Sequence, residues 1–343
     1  MTSDNDVRVV AAGDPLVLPA LITQAVRHEV ERAEVTELRL APPPQPAGPA
    51  AGAPDACDAE EAVIEALAGA QVLVTQVGPV TGKVLAACPD LRLVVVCRGG
   101  PVDVDLDAAK ARDVRVCHTP GHDAAATAEF TVGMMLAALR RIPQAHEELV
   151  RQAGWEDAAY RTYERGGLEL EDLAVGLVGY GAVGSRVARV LCAFGARVMV
   201  HDPYVHGEIH GLRLTSLDDL LRRSRVITLH ARLTPRTRGL IGARELALLP
   251  HGAVVVNVAR GPLLDEDALC DALAGGQVAA AALDTCERAP LPAGSRLLGF
   301  PERVVLTPRV GGVSRAAAEK AARLAAEEVG RWVRGEPLAH CLT

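Results

Sequence analysis

The stretch VGLVGYGAVGSRVARVLCAFGARVMVHD, residues 175–202, decides how the chain is read. It opens with a short apolar run, Val175 to Val178, followed at once by Gly179, Gly181 and Gly184 in the spacing G-x-G-x-x-G. Val183, Val187, Val190, Leu191 and Phe194 then fall at helical spacing, and a second apolar run closes on Asp202, eighteen residues after Gly184. Strand, glycine turn, helix and strand in this order form a dinucleotide site. The first glycine permits a tight turn, the second admits a pyrophosphate against bare backbone, and the third lets helix and strand pack closely. The helix start offers free N–H groups and the positive end of its dipole to the phosphates. A carboxylate at Asp202 accepts ribose hydroxyls and repels a 2′-phosphate, so NAD is expected over NADP. Glycines gather in any tight turn, and the motif alone is weak; here the flanking strands, the helix and the terminal acid all agree with it.

Working outward, 343 residues with 49% hydrophobic content suffice for two cores and about two domains. No apolar run reaches eighteen residues, and MTSDNDVRVV has neither a basic region nor a long apolar stretch, so a soluble, cytoplasmic protein is expected. The net charge is -7 with dispersed basic residues, which argues against nucleic acid and against an acidic membrane surface. Eight cysteines are scattered singly without a C-x-x-C pair, and most are expected to be buried free thiols rather than metal ligands.

Short β-branched runs alternate with helical stretches, the signature of α/β folding on parallel sheet. Strands are expected at Val7–Ala11, Val35–Leu40, Val72–Thr75, Leu91–Cys97 and Val114–His118, then at Ala174–Val178, Arg197–His201, Arg225–Leu229, Ala253–Asn257, Val278–Leu283 and Val304–Leu306. The proline- and alanine-rich Ala41–Pro54 reads as a loop, and Gln152–Glu171, with Trp155, Tyr160 and Tyr163, is polar and irregular. A helix over Ala124–Arg140 leads from the first unit into the second, and an alanine-rich helix runs from after Ser314 to about Arg334.

Several ordered blocks together resemble the D-isomer-specific 2-hydroxyacid dehydrogenase family, which includes phosphoglycerate, glycerate/glyoxylate and formate dehydrogenases. Besides the glycine turn they are Gly99-Gly100-Pro101-Val102-Asp103-Val104-Asp105, Ala128-Glu129, His230 to Ile241, Asn257 to Glu266, Ala282-Leu283-Asp284, Leu306-Thr307-Pro308 and Gly311-Gly312. The resemblance implies two doubly wound parallel-sheet domains with a cleft between them. A flavodoxin-like substrate domain of residues 1–123 and 314–343 would clasp a Rossmann NAD domain of residues 124–313, in a homodimer. It also implies roles: Gly99 and Gly100 would hold the substrate carboxylate, and Arg260 would clamp carboxylate and carbonyl. Gly179, Tyr180, Gly181, Ala182, Val183, Gly184, Asp202, Thr237, Val258, Ala259 and Asp284 would hold the cofactor. Taken alone, Arg260 would sooner form a surface ion pair with Asp265 or Glu266, and Asp284 would be a strand-end turn residue.

At the acid/base position the chain departs from the family. Arg309 stands where the family has a histidine after Thr-Pro, and Ala289 where it has the supporting glutamate; no histidine lies between His251 and His340. A guanidinium, with a pKa above about 12, does not act as a base at neutral pH, whereas a histidine near 6.5 does. Three readings stay open. The protein is a hydride-transfer enzyme for an anionic carboxylate, a phosphorylated or phosphonate-bearing acid, with Arg260 and Arg309 as a double clamp. It is a catalytically degenerate NAD(H)-binding paralogue that serves as a sensor or interaction protein. Or Arg309 is structural and another base, such as Glu287, performs ordinary 2-hydroxyacid chemistry. Asp103 and Asp123 stand where the family commonly has asparagine and read as turn or cap residues, and His118 and His122 are the nearest histidines by motif.

Overall fold

The computed structural model describes residues 7–41, 56–100, 103–152, 162–163, 166–207, 209 and 211–343. Residues 42–54 of the expected proline-rich loop, Pro101, Val102, Trp155 and Tyr160 lie outside the described residues. The chain divides into two compact units, Met1–Asp123 with Val313–Thr343, and Ala124–Gly312.

The first unit carries a five-stranded sheet of order β2-β1-β3-β4-β5, parallel throughout. Its strands are β1 (Arg8–Gly13), β2 (Glu34–Arg39), β3 (Val72–Thr75), β4 (Leu93–Val96) and β5 (Arg115–His118). Successive residues of β1 feed opposite cores: Val9 and Ala11 join one cluster, Val10 and Ala12 the other. A parallel strand covered on both faces therefore reads as an unbroken apolar run. One face is covered by α1 (Pro19–Glu29) and by the alanine-rich helix Arg315–Val333. That last helix starts where Ser314 Oγ accepts from Ala317 N at 3.1 Å, and it buries Ala318, Ala321, Ala322, Ala325 and Ala326, whose small side chains let it lie close on the sheet.

The second unit carries seven parallel strands in the order β12-β11-β10-β9-β6-β7-β8. These are β6 (Ala174–Val178), β7 (Arg197–His201), β8 (Arg213–Leu214), β9 (Val226–Leu229), β10 (Ala253–Asn257), β11 (Val278–Leu283) and β12 (Val304–Leu306). Both sheets bear out the expected α/β class. The two-residue β8 was not foreseen; an exposed Arg213 beside a half-buried Leu214 leaves no periodicity to read. The helix over Ala124–Arg140 forms with the expected bounds and buries Ala128, Val132, Met134, Met135, Ala138 and Leu139 against this sheet.

Candidate active site

In a parallel sheet every strand delivers the loop that follows it to one edge, and ligands bind at that edge where the strand order reverses. In the second unit the reversal lies between β6 and β9, which pair directly although β7 and β8 intervene in sequence. The glycine turn follows β6, Asp202 follows β7, His230 follows β9, Val258 to Arg260 follow β10, Asp284 follows β11, and Thr307 to Gly311 follow β12. The sheet thus brings one block after another of the sequence motif to a single edge.

Each glycine of the turn has its own environment. Gly179 adopts φ +102°, a left-handed conformation, and a Cβ there would stand 2.7 Å from Ala231 N and from the His230 carbonyl carbon. At Gly184 a Cβ would fall 2.3 Å from the Gly179 carbonyl oxygen, so helix and turn are in backbone contact. Around Gly181 nothing lies within 4 Å of that position. The helix that follows, Gly184–Ala193, has no side-chain cap at Val183; Ser185 N donates to Gly181 O and Arg186 N to Val183 O, each at 3.0 Å. It buries Val187, Ala188 and Leu191, whereas Phe194, expected on the apolar face, caps the helix and is exposed, because the helix stops one residue before it. The Asp202 carboxylate accepts from Tyr180 N at 2.7 Å and from Tyr204 N at 2.9 Å, which ties the end of β7 to the middle of the turn.

His230, like Asn257, is a residue at this edge to which the sequence assigns no role. Its ring lies 3.0 Å from Thr228 Oγ1, and desolvation pushes its pKa down to about 4, so it is neutral at physiological pH. Its contact with Gly179 and Gly184 is non-local, and only a motif match could have marked it. Thr237, expected at the cofactor, braces a local turn: its hydroxyl donates to Arg232 O at 2.6 Å and accepts from Thr234 N at 2.8 Å.

Two further loops are each held by one buried polar side chain. Asn257, fully buried at the end of β10, donates to Arg260 O at 2.9 Å and accepts from Ala259 N at 3.1 Å. These bonds fix the backbone that carries the exposed Arg260, whose guanidinium also donates to Ala259 O at 2.7 Å. Asp265 is committed to capping its own helix, accepting from Ala268 N at 2.9 Å, and Glu266 accepts from the Glu287 backbone N–H. Burial raises the Glu266 pKa.

The Asp284 carboxylate is buried and fully engaged. It accepts from Thr307 Oγ1 at 2.6 Å, Val310 N at 2.9 Å and Gly311 N at 2.8 Å, while its carbonyl accepts from Arg309 N at 2.9 Å. This clasp holds Arg309 at φ +58°, left-handed for a residue with a side chain, and leaves its guanidinium exposed.

In the first unit Gly99 and Gly100 follow β4, and nothing lies within 4 Å of a Cβ at either. His118 Nδ1 lies 3.1 Å from Gly99 O, and His122 Nδ1 lies 3.0 Å from Thr119 O. A carbonyl only accepts, so both rings carry their hydrogen on Nδ1. Asp103 pairs with Arg98 at 3.5 Å, and Asp123 lies 4.0 Å from His122. Among the described residues no group of three or more metal-binding side chains gathers, and no helix is long and apolar enough to cross a membrane. Cys88, Cys97, Cys117 and Cys270 are buried free thiols, as expected of most; Cys192 is exposed and Cys286 and Cys341 are half-buried.

Residues 132–311 match the family model of the D-isomer specific 2-hydroxyacid dehydrogenase, NAD binding domain. The chain belongs to the D-isomer-specific 2-hydroxyacid dehydrogenase family. It is 36% identical over 282 residues to a D-3-phosphoglycerate dehydrogenase of Methanocaldococcus jannaschii, covering 81% of this chain and 52% of that protein. It is 35% identical over 261 residues to a glyoxylate reductase of Thermofilum pendens, covering 75% and 76%. Among solved structures, the TT0316 protein of Thermus thermophilus superposes with a TM-score of 0.80 at 30% identity, over 98% of this chain and all of the other. The chain spans about half the length of the phosphoglycerate dehydrogenases that it matches. Its second unit contains the family's NAD-binding domain.

Proposed function

We propose that this chain is an NAD-dependent oxidoreductase that interconverts a 2-hydroxy acid and a 2-oxo acid, with a phosphorylated or phosphonate-bearing acid as substrate. The observation that carries this reading is the edge of the seven-stranded sheet. There an open glycine position, an uncapped helix start and a carboxylate accompany two arginines, each set on a loop fixed by a buried polar side chain.

NAD fits these residues. The space beside Gly181 and the N–H groups of Ala182 and Val183 suit a pyrophosphate, and Asp202 suits a ribose. Tyr180, Gly179, Gly184, Val258, Ala259 and Thr237 line or brace the same edge. When bound, NAD(H) accepts or supplies the hydride. Arg260 orients the substrate carboxylate and polarises its carbonyl by a fork of charged donors. Arg309, with its permanent charge, holds a second anionic group and takes no proton, so solvent supplies and receives it. Gly99 and Gly100 offer backbone N–H groups to the carboxylate. The Asp284 carboxylate supports this chemistry through the backbone of Arg309 rather than by direct contact with the cofactor. We place the substrate-binding role in residues 1–123 with 314–343 and the cofactor role in residues 124–313, with the active protein a cytoplasmic homodimer.

Turnover of a panel of 2-oxo acids, plain and phosphorylated, with NADH and with NADPH tests the reading. Phosphorylated acids with NADH are expected to be preferred, and Arg260→Ala is expected to lower kcat/KM by about 10² to 10³. Preference for NADPH would show that Asp202 does not meet the ribose. The alternative is an NAD(H)-binding paralogue that senses or docks, and it draws on the guanidinium at position 309. Tight NADH binding without turnover across the panel would establish it. Arg309→His together with Ala289→Glu is expected to raise kcat on plain 2-oxo acids by about 10² or more, with a pH inflection near that of a histidine.

A further inference from the structure

The tail after the last helix, residues 335–343, returns to β5, the edge strand of the five-stranded sheet, and lies antiparallel along it. Leu342 N donates to Val116 O at 2.8 Å, and His118 N donates to His340 O at 3.2 Å. Thr343 Oγ1 adds a bond from Val116 N at 3.0 Å. The two backbone bonds flank a bridge that sets Cys117 opposite Cys341. Because they come from the residues on either side, Cys117 and Cys341 are a non-hydrogen-bonded antiparallel pair. That is the closer kind of pair, with Cα atoms about 4.5 Å apart and side chains adjacent. Disulfides need Cα atoms about 4.4–6.8 Å apart. Both residues are free thiols, and the Cys117 thiol contacts Cys341 and the Glu328 carboxylate.

We propose that Cys117 and Cys341 form a reversible dithiol–disulfide pair that latches residues 335–343 onto β5. The two cysteines are placed for different parts. Cys341 is half-buried and meets a small disulfide first, whereas Cys117 is fully buried and resolves the mixed disulfide. The Cys341 thiolate attacks one sulfur of the small disulfide, and one small thiol leaves. Cys117 passes its proton to Glu328, attacks Cys341 Sγ and expels the second small thiol, which takes up that proton. Two protein thiols are oxidised and one small disulfide is reduced to two thiols, so nothing else is consumed.

Glu328 is itself fixed for this part. It is fully buried, paired with Arg331 at 3.0 Å, and accepts from Ala339 N in the tail at 3.1 Å. Burial, with Cys341 and Glu328 close by, pushes the Cys117 thiol up, so that Cys117 is the slower nucleophile and acts second. The latch also reaches toward Gly99. The His340 ring stands edge-on to His118, with centroids 6.1 Å apart and planes at 88°, and His118 Nδ1 donates to Gly99 O. An effect on turnover would rest on the substrate role proposed for Gly99; the cross-link does not, and it is read by mapping alone.

The full chain is incubated under native conditions with oxidised glutathione, then alkylated and mapped by mass spectrometry. The expected result is a peptide pair joining Cys117 to Cys341, loss of alkylation at both, reversal by dithiothreitol, and no such pair in Cys341→Ser or in Cys117→Ser. Wild-type chain in which Cys341 stays alkylatable, stops as a glutathione adduct, or pairs with another cysteine overturns the proposal.

Discussion

Two turns at the edge of the seven-stranded sheet, Gly179–Gly184 and Thr307–Gly311, are built in opposite ways. The first is shaped mostly by its own backbone, with one outside carboxylate, Asp202, accepting from Tyr180 N at 2.7 Å. Its shape comes from Gly179 in a left-handed conformation and from Gly184 pressed against the Gly179 carbonyl, five residues away. The second takes its shape from one carboxylate, Asp284, which lies 23 to 27 residues back in sequence and holds Thr307, Val310 and Gly311. Backbone freedom shapes the one, and a buried charge shapes the other. The difference predicts which substitutions each turn tolerates.

The largest effect is expected at the carboxylate. Asp284→Ala leaves a hydroxyl and two N–H groups without their acceptor, all around a side chain that is 3% exposed, and is expected to cost about 3–5 kcal/mol. Chemical denaturation measures it, and a loss no larger than that of a surface alanine substitution would mean that the second turn, like the first, holds itself.

Next comes His230, which packs under the first turn. Burial lowers its pKa from 6.5 to about 4, so folding favours the neutral ring, while the unfolded chain takes up a proton at about 6.5. Its contribution is therefore present above about pH 6.5 and is lost as the pH falls toward about 4, a loss on the order of 3 kcal/mol. His230→Gln is expected to flatten that part of the stability–pH curve, compared by denaturation midpoints at closely spaced pH values. Parallel curves for the two proteins would show that the ring is solvated when the first turn is formed.

The smallest effect separates two glycines of one motif. Gly184→Ala places a methyl group 2.3 Å from a backbone oxygen and is expected to cost about 1–3 kcal/mol. Gly181→Ala meets nothing within 4 Å and is expected to change stability by less than about 0.5 kcal/mol while weakening NADH binding. Titration of NADH against both variants decides; undiminished affinity in Gly181→Ala would remove the pyrophosphate from that position.

The same contrast explains what was legible beforehand. The strands at Val72–Thr75, Ala174–Val178 and Ala253–Asn257 are readable to the residue, because burial on both faces writes an apolar run into the sequence itself. β8 is not, since two residues at a sheet edge carry no period. Arg260 and Arg309 were noticed only because motifs surround them. The side chains that hold them, Asn257 and Asp284, differ in legibility. Asp284 reads from its motif as a cofactor residue, and its carboxylate also holds the loop of Arg309; Asn257 opens the block Asn257 to Glu266 but carries no role there, because a hydrogen bond from a buried amide to a backbone has no sequence pattern.

By itself, then, the sequence determined the α/β class, the two parallel sheets and the dinucleotide turn, since strand periodicity, helix spacing and glycine conformation are local properties of the chain. Only the tertiary structure decided that Asp284 fixes the loop of Arg309, that the half-buried His230 packs against the turn, and that Cys341 faces Cys117 across an antiparallel bridge. These are meetings of residues far apart in sequence, and they exist only once the sheets have set their strand order and the tail has found its edge.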